Sequence, residues 1–309
     1  SGVVVGNVFS IDRRVATRMT KRTASNYSLL ATTLVNVACG VCLIIGSKHL
    51  YGIWPYPVTA AAFQQIMLLI YMYDRKHDVL PPVTHYLAFT NAAQVAFSNI
   101  MIRMCTLGVY ELITALRIPA LLLVQWYQFR VFEPRKPTLC ALATAAFSAC
   151  GTWASNHSAN VIGVVVGIAA VLAAAASKAV IKGCVMQYNT NPDDLLRAQV
   201  PGTIFILSIY SAIVEQPACP STSTALCVIV FGLVAIVLNV TGFRLCSHAP
   251  MYYQQLSPFK TGLIVALSNS WGDVVRAVSI VGTTVFASVY MRVRSRNCWE
   301  NAYVRSMDY

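Results

Sequence analysis

Ser223-Thr-Ala-Leu-Cys-Val-Ile-Val-Phe-Gly-Leu-Val-Ala-Ile-Val-Leu-Asn-Val-Thr-Gly-Phe-Arg-Leu-Cys-Ser247 carries a single charge, Arg244, near its end. About 20 apolar residues are enough for a helix to cross a hydrocarbon core, so this stretch predicts a transmembrane helix. Nine further apolar runs lie at 27–46, 57–73, 82–103, 108–131, 137–154, 160–186, 193–216, 249–270 and 274–293. Turn chemistry fills the breaks: Tyr51-Gly52 through Pro57, Pro81-Pro82, Glu133-Pro134, Asn189 to Pro192, and Gln216 to Pro220. No soluble domain fits between them. Composition agrees, with 57% apolar residues, 11% charged residues and a mean hydropathy of +0.60. A soluble domain carries roughly 25% charged residues. The expected fold is an all-α membrane protein of about ten transmembrane helices.

The formal net charge of +12 does not point to nucleic acid, because the basic residues form no single solvated face. Most sit at the ends of the apolar runs. With both termini placed in the cytosol, fourteen of the 23 Lys and Arg fall on that side and three on the other. This asymmetry predicts cytosolic termini, and an even number of spans satisfies it. Residues 1–26 hold Arg13, Arg14, Arg18, Lys21 and Arg22 without a long apolar core, and read as a basic tail rather than a cleavable signal peptide. Residues 294–309 form a second cytosolic tail. Cys39 and Cys42 lie within the first span and read as small apolar residues rather than a redox pair. Asn156-His157-Ser158 falls in a loop on the far side, where it could accept a glycan.

Six cations remain inside the predicted spans: Arg117, Lys178, Lys182, Arg197, Arg244 and Lys260. A central Arg or Lys costs about 2.5–3.5 kcal/mol to insert, so each needs a reason. Of the eleven acidic residues only Glu111 and Glu215, each close to an end, fall within spans beyond the Asp193-Asp194 pair that opens the 193–216 run. Several buried cations with few anions predict a cavity built for an anion. Two of them also belong to a repeat. Tyr110-Glu-Leu-Ile-Thr-Ala-Leu-Arg117 and Tyr253-Gln-Gln-Leu-Ser-Pro-Phe-Lys260 each place a cation seven residues after a tyrosine, with an apolar run following. Seven residues is close to two helical turns, so tyrosine and cation share a face. The offset spans five predicted helices, an odd number, so the halves 27–154 and 160–293 read as inverted five-helix repeats with a midplane site between them.

These segments bear a family resemblance. Gly108-Val-Tyr-Glu-Leu-Ile-Thr-Ala-Leu-Arg-Ile-Pro119, Leu195-Leu-Arg-Ala-Gln-Val-Pro201, Leu238-Asn-Val-Thr-Gly-Phe243 and His248-Ala-Pro-Met-Tyr-Tyr-Gln-Gln-Leu-Ser-Pro-Phe-Lys-Thr261 occur in the order and at nearly the spacing of the corresponding motifs of the nucleotide-sugar/triose-phosphate translocators. That family belongs to the drug/metabolite transporter superfamily. Glu133-Pro134, Ser47-Lys48 and Tyr56-Pro-Val-Thr59 add shorter matches. Lys260-Thr261 resembles the subgroup that carries mostly UDP-sugars, whereas the phosphate translocators have Lys-Arg there. The chain departs from the pattern at Thr114, where the family has a lysine, at Ser257-Pro258, where it has Gly-His, and at Arg197-Ala198, where it has Tyr-Tyr. The resemblance implies a Golgi or endoplasmic-reticulum membrane.

Residue chemistry assigns roles within this expectation. Lys260 and Arg117 would capture a diphosphate, an ammonium point charge beside a bidentate guanidinium. Lys178 shares a face with Lys182; Lys178 is the candidate ligand, while Lys182 reads equally as an interfacial anchor. Tyr110, Tyr252, Tyr253, Gln199 and Asn239 suit a base, a ribose or sugar hydroxyls, and read equally as interhelical hydrogen-bond glue in the case of Asn239. Thr261 and Ser257, flanking Lys260, complete the set. Arg197, after Asp193 and Asp194, reads as a locally paired residue at a solvated turn. The five histidines show no metal-ligand spacing, and no catalytic constellation or cofactor site is visible. The expected function is exchange of a cytosolic nucleotide sugar for a lumenal nucleoside monophosphate. The alternatives are an organophosphate or phosphate exchanger and a non-transporting membrane scaffold. A homodimer is left open.

Overall fold

A computed structural model of the chain describes residues 26–73, 83–129, 135–153, 160–188 and 190–248, together with Lys260, Val281, Gly282 and Val285. The described residues contain helices and no strand. They are α1 Asn26–Ile53, α2 Pro57–Met72, α3 Val83–Met104, α4 Leu107–Ala115, α5 Arg117–Phe129, α6 Arg135–Trp153, α7 Val161–Tyr188, α8 Pro192–Tyr210 and α9 Thr222–His248. Each of the first eight apolar runs in the sequence is thus a helix or a pair of helices. The runs at 249–270 and 274–293 lie outside the described residues except for the four named above.

Among the described residues five segments are long and apolar enough to cross a bilayer: Ala31–Ile53, Leu107–Tyr127, Val161–Val185, Pro192–Glu215 and Thr222–Ser247. The polarity of the fold is inverted relative to a soluble protein. Leu34, Ile70, Phe89, Leu123, Val165, Phe205, Leu226 and Leu233 face outward, while Asn36, Gln65, Asn91, Thr144, Ser177 and Thr203 are buried. Buried polar groups and a continuous outward apolar surface are the informative departures from the usual pattern, and here they occur together.

Local chemistry sets the breaks. Pro119 has no N–H to offer Ala115, and its ring crowds that carbonyl, so one long span divides into α4 and α5 at Leu116. Leu116 N–H turns back to Ile113 and Thr114, closing α4 with a tighter turn. At the other boundary of α4, the Thr106 side chain caps Val109 N–H. α8 ends in a π turn, Ser211–Glu215, followed by Gln216 in the left-handed region at φ 44°. This ending aims Glu215 at the start of α2, which has no side-chain cap of its own. Glu215 accepts from Val58 N–H at 2.9 Å and from Thr59 N–H at 2.8 Å. A carboxylate there also complements the positive end of the α2 dipole.

α3 packs on α7 and on α8, and α1 and α2 both pack on α9. α1 and α7 also meet α3 and α9, respectively, and α2 meets α8. The α2–α8 pair runs antiparallel: Glu215, past the end of α8, meets the start of α2, and Arg197, near the start of α8, donates to Tyr73 O at 2.6 Å just past the end of α2. Arg197 is buried rather than at a solvated turn, and Asp193 pairs instead with Arg244 of α9, through two bonds of 2.7 and 3.1 Å. The local pairing expected for Arg197 is therefore replaced by a helix-end carbonyl.

Candidate functional site

An internal cavity of about 180 Å³ lies between α1, α2, α3, α4, α5, α7 and α9. Helical periodicity brings its lining together. Gly40, Leu43 and Ser47 form one stripe of α1, and Asn91, Gln94 and Ser98 one stripe of α3. Ala235, Asn239 and Gly242 do the same on α9.

Arg117, Lys178 and Lys260 all line this cavity, drawn from α5, α7 and the segment beyond α9. The three cations stand close enough to repel one another. Lys260 Nζ donates to Asn36 Oδ1 at 2.9 Å, and Asn36 is fixed by its own amide bonds to Leu238 O and Thr241 Oγ1 at 3.2 and 2.8 Å. The Lys260 stem crosses Gly40 so closely that a Cβ there would meet its Cε at 2.8 Å. A glycine is thus the residue that lets this lysine reach the cavity. Lys178 is buried, with its ammonium 5.7 Å from the Phe243 ring centroid. Arg117 opens α5 at the Leu116 break, is hydrogen-bonded to Tyr110, and keeps a buried Nε without a hydrogen-bond partner.

Glu111, close to the start of its apolar span, also lines the cavity and is buried at 2% exposure. It follows Tyr110 directly on α4 and stands about one turn before Thr114. Thr114, at the position where a lysine was expected from the resemblance, donates to Glu111 O at 2.9 Å. Among the described lining residues three cations therefore face one carboxylate, a formal excess of two positive charges. In an interior of low dielectric that excess favours an anion with two negative charges.

The remaining candidates divide. Tyr110 and Asn239 line the cavity, although Asn239 also donates back to Ala235 O at 2.8 Å. Gln199 is fully buried and does not line it. Tyr252, Tyr253, Ser257 and Thr261 lie outside the described residues. Lys182 stands away from the cavity and donates to Ser247 O at 2.9 Å, at the end of α9. The cavity also recruits uncharged residues absent from the sequence-based set: Gln64, Gln65, Asn91, Gln94 and Ser98. Their signal is their spacing, since 91, 94 and 98 fall on one helical face. The described residues contain no His, Cys, Asp and Glu group that could hold a metal.

A scan of protein-family models and a search of curated proteins found no match to the chain. The backbone does resemble solved structures, 27 chains in all. One of these, described only as "Crystal structure of protein", is 14% identical in sequence and superimposes with a TM-score of 0.62 over 88% of this chain and all of its own. At that identity the likeness shows a shared fold.

Proposed function

We propose that the chain is a ten-span transporter that exchanges a nucleotide sugar for a nucleoside monophosphate across a Golgi or endoplasmic-reticulum membrane, with both termini in the cytosol. The observation that carries this reading is the excess of Arg117, Lys178 and Lys260 over Glu111 around one internal cavity. An empty cavity of this charge is costly to reorient, and an anion with two negative charges offsets the cost. Each ligand drives the cycle only by its preference for one state.

The packing supports two inverted repeats. Exchanging α1, α2 and α3 with α7, α8 and α9 turns the α3–α7 interface into α9–α1, α3–α8 into α9–α2, and α1–α3 into α7–α9, all of which occur. It returns the antiparallel α2–α8 pair to itself. Lys48 and Lys182 exchange as well: Lys48 closes the end of α3, with bonds of 2.8 and 2.7 Å to Ile102 O and Cys105 O, as Lys182 closes the end of α9.

The test is radiolabelled exchange in proteoliposomes preloaded with UMP, GMP, CMP or inorganic phosphate, against a panel of external nucleotide sugars. Saturable uptake that requires one internal nucleoside monophosphate is the expected result. Flux only against internal phosphate assigns the chain to organophosphate exchange instead. Absence of flux from folded protein defeats the transport reading and leaves the scaffold.

A further inference from the structure

Part of the cavity lining is uncharged. Lys260 lies against Gly40 of α1. Two turns further along the same stripe, roughly 10 Å away, Ser47 lines the cavity beside groups of a different kind. Gln64 and Gln65 come from the middle of α2; Gln94 and Ser98, one turn apart, come from α3. Asn99 accepts from Tyr51 at 2.6 Å, which holds this part of α3 next to the Ser47–Tyr51 turn of α1.

These uncharged residues are not spent on holding helices together. Gln65 Oε1, Gln94 Oε1 and Ser98 Oγ are all buried without a hydrogen-bond partner, and Gln65 is 3% exposed. Asn36, at the same cavity's boundary, is by contrast satisfied by Leu238 and Thr241. Leaving three such atoms bare in one cavity is expensive unless something else meets them.

Resting on the anion-site reading above, we infer that Gln65, Gln94 and Ser98 form a neutral subsite for the hydroxyl-rich part of the same ligand, a hexose-like group attached to the phosphates. Hydroxyls are the fitting chemistry. Each both donates and accepts, so it satisfies an amide in either orientation and a serine hydroxyl as well. A second phosphate or a carboxylate would find no cation among these three residues. In this arrangement the cations bind every phosphate-bearing ligand, and the amides distinguish a sugar ester from the bare nucleotide. A site built to bond a hydroxyl rejects the analogue lacking it, because its own groups are then left unmet.

The experiment measures dissociation constants of the purified full chain in detergent for UDP, GDP, UDP-galactose and GDP-mannose, with thermal unfolding recorded for each variant. In Gln65→Leu, Gln94→Leu and Ser98→Ala, the sugar ester is expected to weaken by about five- to tenfold per substitution while the bare diphosphate stays within about twofold. Because an apolar side chain of similar shape removes an unmet polar group, the empty Leu variants should melt no lower than the parent. A ratio of ester to diphosphate affinity that the substitutions leave unchanged overturns the subsite and assigns those atoms to water. Loss of stability with equal weakening of both ligands also overturns it, in favour of a structural role. If the parent protein binds none of the four probes, the anion-site reading itself fails and takes the subsite with it.

Discussion

Lys178 and Lys182 stand one turn apart on α7 and meet different fates. Lys178 points its ammonium into the cavity near Phe243, whereas Lys182 gives a 2.9 Å bond to the last turn of α9. Lys48 repeats the second arrangement at the end of α3. A cation within a transmembrane segment is thus not by itself a ligand site. Helix C-termini expose carbonyls and carry a partial negative charge, and a lysine that reaches them has its insertion cost offset by the fold alone. Lys260 and Arg117 instead line the cavity together with Lys178.

This contrast makes ordered predictions. Lys260→Ala and Arg117→Ala should each lower nucleotide exchange by roughly a hundredfold or more, with protein that remains folded, because a charge-assisted contact to phosphate is lost from a dry site. Exchange retained at half its rate in both would end the distinction. Glu215→Gln should leave ligand affinity within about twofold but cost roughly 2 kcal/mol of stability, read from thermal unfolding, since one bond to an α2 amide becomes neutral and the other amide faces an NH2 group that cannot accept. Lys48→Met and Lys182→Met should each cost about 1 kcal/mol of stability and leave the dissociation constant for nucleotide within about threefold. If Lys182→Met abolishes binding while Lys48→Met does not, the two lysines are not equivalent. Gly40→Ala is the mildest: the methyl displaces the flexible end of Lys260, and affinity should fall only about three- to fivefold.

The fold was readable wherever lipid dictates a length. A chain crossing hydrocarbon must satisfy its backbone internally, so apolar runs become helices; seven of the eight described ones do so within a few residues of their expected boundaries, while α1 runs seven residues past its expected end, through the Tyr51-Gly52 pair read as a break, to Ile53. Arg117, Lys178 and Lys260 were also readable, because an uncompensated charge in an apolar run stands out in one dimension. The acid among them was legible only as a residue near a span end: Glu111 sits three residues inside its run, and the packing of α4 places it in the cavity lining. Gln64, Gln65 and Gln94 escaped for a related reason. Amides in spans more often join helices than meet ligands, and only three-dimensional packing reveals which atoms went unmet. Gln199 is the converse case, a glutamine that looked exposed to the site and is packed elsewhere. The helix-end roles of Lys48, Lys182 and Arg197 depend on partners about 50, 65 and 124 positions away in the chain, beyond any local pattern.

The interruption at Leu116 has a mechanical meaning. A continuous rod pivoting to open one mouth of the cavity would drag its central side chains through an arc. Two arms joined at a break need not move together, and a residue at the break travels least whichever arm swings. Arg117 is the first residue past that break. In the proposed exchange cycle, a guanidinium at this fulcrum keeps hold of one phosphate while either end of the span tilts.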